Sequence, residues 1–171
     1  YDYFGICISL VSFGRPIVSL VYRPSTGEYF SAIEGEGAYY CSGKKTTRPR
    51  RITPFKNKKL FNDAIFVTGF AVEKGILFQK EFSLFKNIMT NCRGVRRLGS
   101  AALDLSYVAL GIWDGFWERG LAPWDVAASG HICLESGVTV GDYSGNKFNP
   151  FQSTIMASRK PLYNDLLKYV Q

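Results

Sequence analysis

The feature that most constrains the fold is a change of rhythm near residue 64. Before it, short alternating runs are separated by turn residues. Ile6–Leu10 leads to Gly14-Arg15-Pro16, Ile17–Tyr22 leads to Pro24-Ser25-Thr26-Gly27, and Tyr29–Ile33 and Gly37–Tyr40 follow. Gly and Pro stand where a hairpin needs positive or fixed φ, so this spacing predicts an antiparallel meander. A polar segment from about Cys41 to Lys59 is expected to hold irregular structure and one short strand. From Ala64 onward, short apolar runs alternate with helical periodicity.

In that second half, strands are expected at Ala64–Thr68, Val95–Leu98, Asp114–Glu118, Val138–Gly141 and Thr154–Ser158. Helices are expected from about Gln79 to Asn91, with Phe82, Phe85, Ile88 and Met89 on one face, and from Ser100, as the cap, to Leu110. A third begins at Asp125 and closes at Gly137, and a fourth runs from Pro161 to Val170. Strands alternating with helices predict an α/β layer, here packed on the antiparallel sheet of residues 1–60. The fold class is therefore α+β, or layered α/β, in a single unit.

The composition sets the class of molecule. The chain of 171 residues is 46% hydrophobic, 15% aromatic and 20% charged, which describes a folded chain with a sizeable core. Apolar runs fall short of the roughly 18 residues of a membrane span, so no membrane partner is expected. Tyr1-Asp2-Tyr3-Phe4-Gly5 carries neither an initiating Met nor a basic leader, so no signal peptide is expected. Cys7, Cys41, Cys92 and Cys133 are widely separated without a CxxC pair, which predicts reduced thiols in a cytoplasmic protein. The net charge of +7 suits a phosphorylated small molecule or a nucleic acid.

Four local patterns carry chemistry. Asp125 stands at the head of an Ala-rich helix, where a carboxylate either caps free N–H groups or binds a hard cation. Ala127, Ala128, Ser129 and Gly130 imply that another element approaches this helix closely, and Trp124 is expected to anchor it in the core. Glu118 ends a strand of bulky apolar residues, where ligands of α/β layers are met; a solvated strand end is the plainer alternative. Gly99-Ser100-Ala101-Ala102 opens a helix whose free N–H groups can receive an anion or a hydroxyl-rich ligand, or merely be capped. Asp104, in the same helix, reads as a first-turn acid favoured by the helix dipole.

Two further features read as structural. His131, the single histidine, lies inside the apolar helix with no readable partner. Lys44, Lys45, Arg48, Arg50, Arg51, Lys56, Lys58 and Lys59 form a run without an acid, read as a solvated basic loop. An RNA- or protein-binding module using residues 44–59 is the alternative from a different functional class.

Taken together, Gly99-Ser100-Ala101-Ala102, Asp114-Gly115-Phe116-Trp117-Glu118 and Pro123-Trp124-Asp125-Val126-Ala127-Ala128 resemble the inositol monophosphatase family, its bacterial members above all. Arg23-Pro24 and Glu34-Gly35-Glu36-Gly37-Ala38 agree with that family's first hairpins. The resemblance covers essentially the whole chain. It implies a Mg²⁺-dependent, lithium-sensitive phosphomonoesterase of alternating α and β layers, cytoplasmic and homodimeric, acting on a small phosphate ester without a covalent phosphoenzyme. It further implies that Asp125 binds metal and a substrate hydroxyl, that Glu118 binds polyol hydroxyls, and that Ser100 and Ala101 line the same pocket.

The chain also departs from the family pattern. The upstream glutamate pair and the Asp-Pro-x-Asp-Gly-Thr motif, which carry the other metal carboxylates, are not present. Asp2 lacks the motif's context, and Glu34 and Glu36 belong to a hairpin. Glu135-Ser136-Gly137-Val138 replaces paired glycines, which should alter a turn and leave the chemistry intact. The chain thus resembles the C-terminal two-thirds of a phosphatase: one incomplete domain, with a sheet at 1–60 and an α/β layer at 61–171. No catalytic residue is identifiable within it. A sheet truncated in this way should expose an unpaired edge and an apolar surface, inviting aggregation or pairing with another chain.

Overall fold

The computed structural model describes residues 1–43, 48–53, 59–70 and 75–171. The first sheet is a meander of β1 (Ile6–Ser12), β2 (Arg15–Arg23), β3 (Glu28–Ile33), β4 (Gly37–Cys41) and β5 (Arg50–Arg51). These strands pair in chain order and are all antiparallel. The short strand expected in the polar segment is β5.

The second sheet has the order β7-β6-β8-β10-β9, from β6 (Ile65–Thr68), β7 (Gly94–Arg96), β8 (Gly115–Arg119), β9 (Thr139–Gly141) and β10 (Thr154–Ser158). β6 runs parallel to both β7 and β8, while β10 is antiparallel to β8 and β9. Four α-helices, α1 (Ile76–Asn91), α2 (Ala101–Leu110), α3 (Pro123–Glu135) and α4 (Leu162–Val170), and a 3₁₀ turn at Phe61–Asp63 complete the described elements.

The layers follow from which faces are apolar. β6, β8 and β10 are nearly continuous apolar runs, the signature of strands covered on both faces. Val67, Phe116, Ile155 and Ala157 face α2 and α3, whereas Phe66, Trp117 and Met156 face α1 and α4. α3 packs in turn on β1 to β4, so α2 and α3 form the filling between the two sheets. The close approach to α3 comes from the segment between β9 and β10: a Cβ on Gly130 would collide with the Phe148 ring. The layer order is sheet, helix pair, sheet, helix pair, the layered α/β arrangement expected.

The first sheet is covered on one face only. On β1, Ile6, Ile8 and Leu10 are each at least half exposed, and among the described residues β1 pairs with β2 alone. The expected free edge and apolar outer face are therefore both present. The cysteines form no disulfide, and no helix is long and apolar enough to cross a membrane.

Several local expectations need correction. α1 begins at Ile76, earlier than Gln79, and Phe82 and Met89 are exposed. Its inward residues include Glu81 and Ile88, because Arg119 Nε donates to Glu81 at 2.9 Å and the Tyr143 hydroxyl donates to it at 3.1 Å. Those two bonds turn a charged residue inward and rotate two apolar ones out. Asp114 precedes β8, where its carboxylate accepts the Ile65 N–H and the Lys59 ammonium, both at 2.8 Å. Trp124 is 76% exposed and anchors nothing in the core. α3 starts at Pro123, two residues before Asp125, and α4 starts at Leu162.

Candidate functional site

The C-terminal ends of the parallel strands β6, β7 and β8 meet the first turns of α2 and α3, where open α/β sheets bind ligands. The cavity there holds about 350 Å³. Ser100, Ala101, Glu118 and Asp125, all singled out from sequence, line it. Sequence reasoning did not foresee Tyr3, Phe70 and Arg97, which line it too, nor that Asp104 turns toward it.

Asp125 occupies the third position of α3 and does not cap the helix from in front. Its Oδ2 accepts the Ala122 N–H at 2.9 Å, while its own N–H donates to the Ala122 carbonyl at 3.0 Å. That is the reach-back half of a capping box, and the missing half is a Ser or Thr where Ala122 stands. The carboxylate is thereby aimed by its own helix, with Oδ1 left for a ligand. Of the two alternatives raised by the sequence, the helix-start bond is the one seen, on Oδ2.

Glu118 is buried, at 8% exposure, and not a solvated strand end. A Cβ on residue 69 would collide with its carboxylate, so Gly69 is what lets the side chain lie against the β6 terminus. Burial pushes Glu118 up to about 8; the charges of Asp104 and Asp125 add to the rise and that of Arg97 opposes it. Near neutral pH it is therefore a protonated carboxyl, able both to donate to and to accept from a hydroxyl group.

Asp104 is buried at 2% exposure, and burial raises it to about 7. The Tyr3 hydroxyl donates to Oδ1 at 2.7 Å and opposes that rise. Tyr3 is held by the Arg23 guanidinium, 5.2 Å from its ring centre, and by the Tyr107 ring. The helix-dipole reading of Asp104 is thus incomplete. The available signal was an acid between Leu103 and Leu105 in an otherwise apolar helix; nothing local marks Tyr3. Ser100 holds the N-cap position of α2 without a capping bond from its hydroxyl, which leaves that group and the first-turn amides facing the cavity.

The remaining candidates lie elsewhere. His131 is buried and does have a partner, the Ser19 hydroxyl at 2.9 Å from Nδ1, across the α3–β2 contact. Glu34 pairs with Arg15 at 3.6 Å, and neither Glu34, Glu36 nor Asp2 lines the cavity. Of the basic run, Arg48, Arg50 and Arg51 are exposed and Lys59 bonds Asp114; Lys44, Lys45, Lys56 and Lys58 lie outside the described residues.

The donor set fits a cation only in part. Three acids line one cavity and Asp125 offers a free oxygen, yet among the described residues no three acids, histidines or cysteines come together as a metal cluster. Asp125 suits one coordination position of a hard cation; the other positions need oxygens from elsewhere.

A model of the inositol monophosphatase family matches residues 1–171. The chain is 33% identical over 169 residues to the Nus factor SuhB of Pasteurella multocida, aligning 99% of this chain with 60% of that protein. It is likewise 33% identical over 169 residues to the inositol-1-monophosphatase of Mesorhizobium japonicum, with 98% and 60% covered. Among solved structures, the suhB suppressor protein of Bartonella henselae superposes with a TM-score of 0.85 at 31% identity, over 98% of this chain and 61% of that one. The Thermotoga maritima IMPase gives 0.82 at 29% identity, over 97% and 60%. The chain spans about 60% of the length of these relatives. By sequence over its full length and by fold, it belongs to the inositol monophosphatase family.

Proposed function

We propose that this chain carries the C-terminal part of the active site of a Mg²⁺-dependent phosphomonoesterase acting on inositol monophosphate or a related sugar phosphate. The observation that carries the reading is one cavity that gathers Asp125, Glu118 and the open first turn of α2. Asp125 supplies one oxygen to the cation and a contact to a substrate hydroxyl. Glu118, held protonated by burial, binds a neighbouring hydroxyl, and Ser100 and Ala101 present the α2 amides beside it. A bound Mg²⁺ would neutralise phosphate charge and lower the pKa of the attacking water. Family relatives named as inositol-1-monophosphatase and as phosphatase IMPL1 support the reaction class.

On this reading the 171 residues form one incomplete phosphatase domain, inactive alone, because a single carboxylate does not hold catalytic Mg²⁺ against water. The test compares the chain with a chimera in which the upstream third of the Mesorhizobium japonicum relative is joined before Tyr1. With Mg²⁺ and inositol 1-phosphate, the chain alone releases no phosphate above background, and the chimera turns over. Turnover by the chain alone refutes the incomplete set; a folded but inert chimera refutes the site. Glu118→Gln in the chimera should reduce hydrolysis of inositol 1-phosphate more than that of fructose 1,6-bisphosphate, histidinol phosphate or a nucleoside 3′-phosphate.

A further inference from the structure

The single histidine, His131, is 3% exposed where α3 packs on the first sheet, and its neighbours fix its protonation. The Ser9 hydroxyl donates to the Val18 carbonyl at 3.3 Å, so the Ser19 hydroxyl, 3.1 Å away, donates to Ser9. Ser19 Oγ then turns lone pairs toward His131 Nδ1 at 2.9 Å, which puts the ring proton on Nδ1. Nε2 is left as a buried lone pair without a hydrogen-bond partner.

What Nε2 faces is a carboxylate. Glu135, the last residue of α3, holds Oε1 at 3.9 Å from Nε2, too far for a hydrogen bond. Its oxygens serve the hairpin between β3 and β4 instead: Oε1 accepts the Gly35 N–H at 3.0 Å and Oε2 the Gly37 N–H at 2.9 Å. Glu34, the other acid acting on the ring, is paired in solvent with Arg15 at 3.6 Å. From β1 and β2 the ring meets the Ser9–Ser19 pair of uncharged hydroxyls. A proton arriving at Nε2 therefore makes a buried cation whose nearest acceptor is engaged elsewhere. Moving Oε1 by about 1 Å would give that cation a charge-assisted bond. We propose that His131 and Glu135 form a proton-operated latch between α3 and the first sheet: on protonation of Nε2, Glu135 Oε1 leaves the Gly35 amide for the imidazolium, while Oε2 keeps Gly37. Of the two bonds that tie the hairpin to the end of α3, one is then released. Burial lowers the His131 titration and the two acids oppose it, so the latch opens on the acid side of the ordinary histidine value near 6.5.

NMR on the 171-residue chain tests this without any ligand. At pH 8 the ring nitrogen shifts should place the proton on Nδ1; a proton on Nε2 overturns the latch. Between pH 8 and pH 5 the Gly35 amide proton should move upfield with the same midpoint as the His131 ring, and Gly37 should move much less. Equal movement of both, or a Gly35 amide that ignores the ring titration, overturns the proposal on the unaltered chain, even should a variant fail to fold. So does a ring that takes no proton down to pH 4. His131→Asn keeps a donor for Ser19 and should erase the Gly35 response. Glu135→Gln should erase it too, and should carry the His131 midpoint lower still because a supporting charge is gone. A Gly35 response that survives in a folded His131→Asn chain belongs to the acids alone and overturns the proposal as well.

Discussion

α2 and α3 lie side by side in the same layer, and each sends a first-turn aspartate to the same cavity, yet the two acids are held in opposite ways. Asp125 is bonded within its own helix start, to the Ala122 N–H, and stays half-buried with an oxygen to spare. Asp104 is bonded to Tyr3, 101 residues earlier in the chain, and is buried to the point of being raised to about 7. A short-range bond leaves a carboxylate half-buried, with one oxygen available. A long-range bond within the core makes it part of the wall. Position in a helix therefore says little about an acid's role until its partner is known.

The comparison sharpens first in the stability of the two helix starts. Leu103, fully buried beside Asp104, should cost about 3–5 kcal/mol when changed to Ala, from lost transfer energy and the cavity left behind. Trp124, beside Asp125, is 76% exposed and should change stability by about 0.5 kcal/mol or less in Trp124→Ala. Urea denaturation of both variants measures this. Equal losses would mean that Trp124 is an anchor after all and that the two helix starts are alike.

The second difference is in pH. Asp104 and Glu118 both have raised folded-state values, about 7 and about 8, so between pH 4 and 8 the folded chain holds more protons than the unfolded one. Their contribution is fully present below about pH 4 and is lost as pH rises through 7 and 8. Burial lowers His131, which acts in the opposite sense: below its ordinary value near 6.5 the unfolded chain gains the proton first and stability falls. The two acids together outweigh it, so thermal unfolding should show higher stability near pH 5.5 than at pH 9, by on the order of 2–4 kcal/mol. Asp104→Asn, which removes one of the two titrations outright, should flatten the slope more than Asp125→Asn, which only takes away part of the rise of Glu118. Identical slopes in the two variants would break the distinction.

How much of this could be read from the chain itself depended on range. The meander is legible because each turn is local: Gly14 and Gly27 have positive φ where the hairpins turn. Asp125, Glu118 and Ser100 are legible because residue type and spacing along a short stretch carry them to the ends of neighbouring elements. Tyr3 on Asp104 was not legible, since nothing in Tyr1-Asp2-Tyr3 marks a contact with a helix a hundred residues away. The exposure of Phe82 and the burial of Glu81 were hidden for the same reason, as Arg119 turns α1 from 38 residues downstream. Trp124 misled because a large aromatic beside small residues suggests packing, and the packing partners of α3 lie on its other side.

Tyr3→Phe tests the long-range bond alone. Removing one hydroxyl leaves the ring between Arg23 and Tyr107 but strips a buried acid of its donor, so about 1–2 kcal/mol should be lost. Because the Tyr3 hydroxyl holds Asp104 down, its removal should also move that titration upward, visible by carboxyl ¹³C NMR. A stability loss without movement of Asp104 would mean that Tyr3 acts by packing.

The smallest expected stability effect falls on the residue with the largest proposed role. Asp125→Ala removes one bond from a helix start that Pro123 already pre-organises, a loss of about 0.5–1 kcal/mol. In the chimera with an upstream segment, the same change should abolish phosphate release, whereas Asp104→Asn leaves turnover measurable. That pairing separates the two aspartates where their shared position cannot. An acid needed only to start its helix would lose stability and keep activity, and an acid kept for a cation does the reverse. If Asp125→Ala unfolds the chain, or leaves the chimera active, the cap was its whole purpose and the cavity takes its cation, if any, from other oxygens.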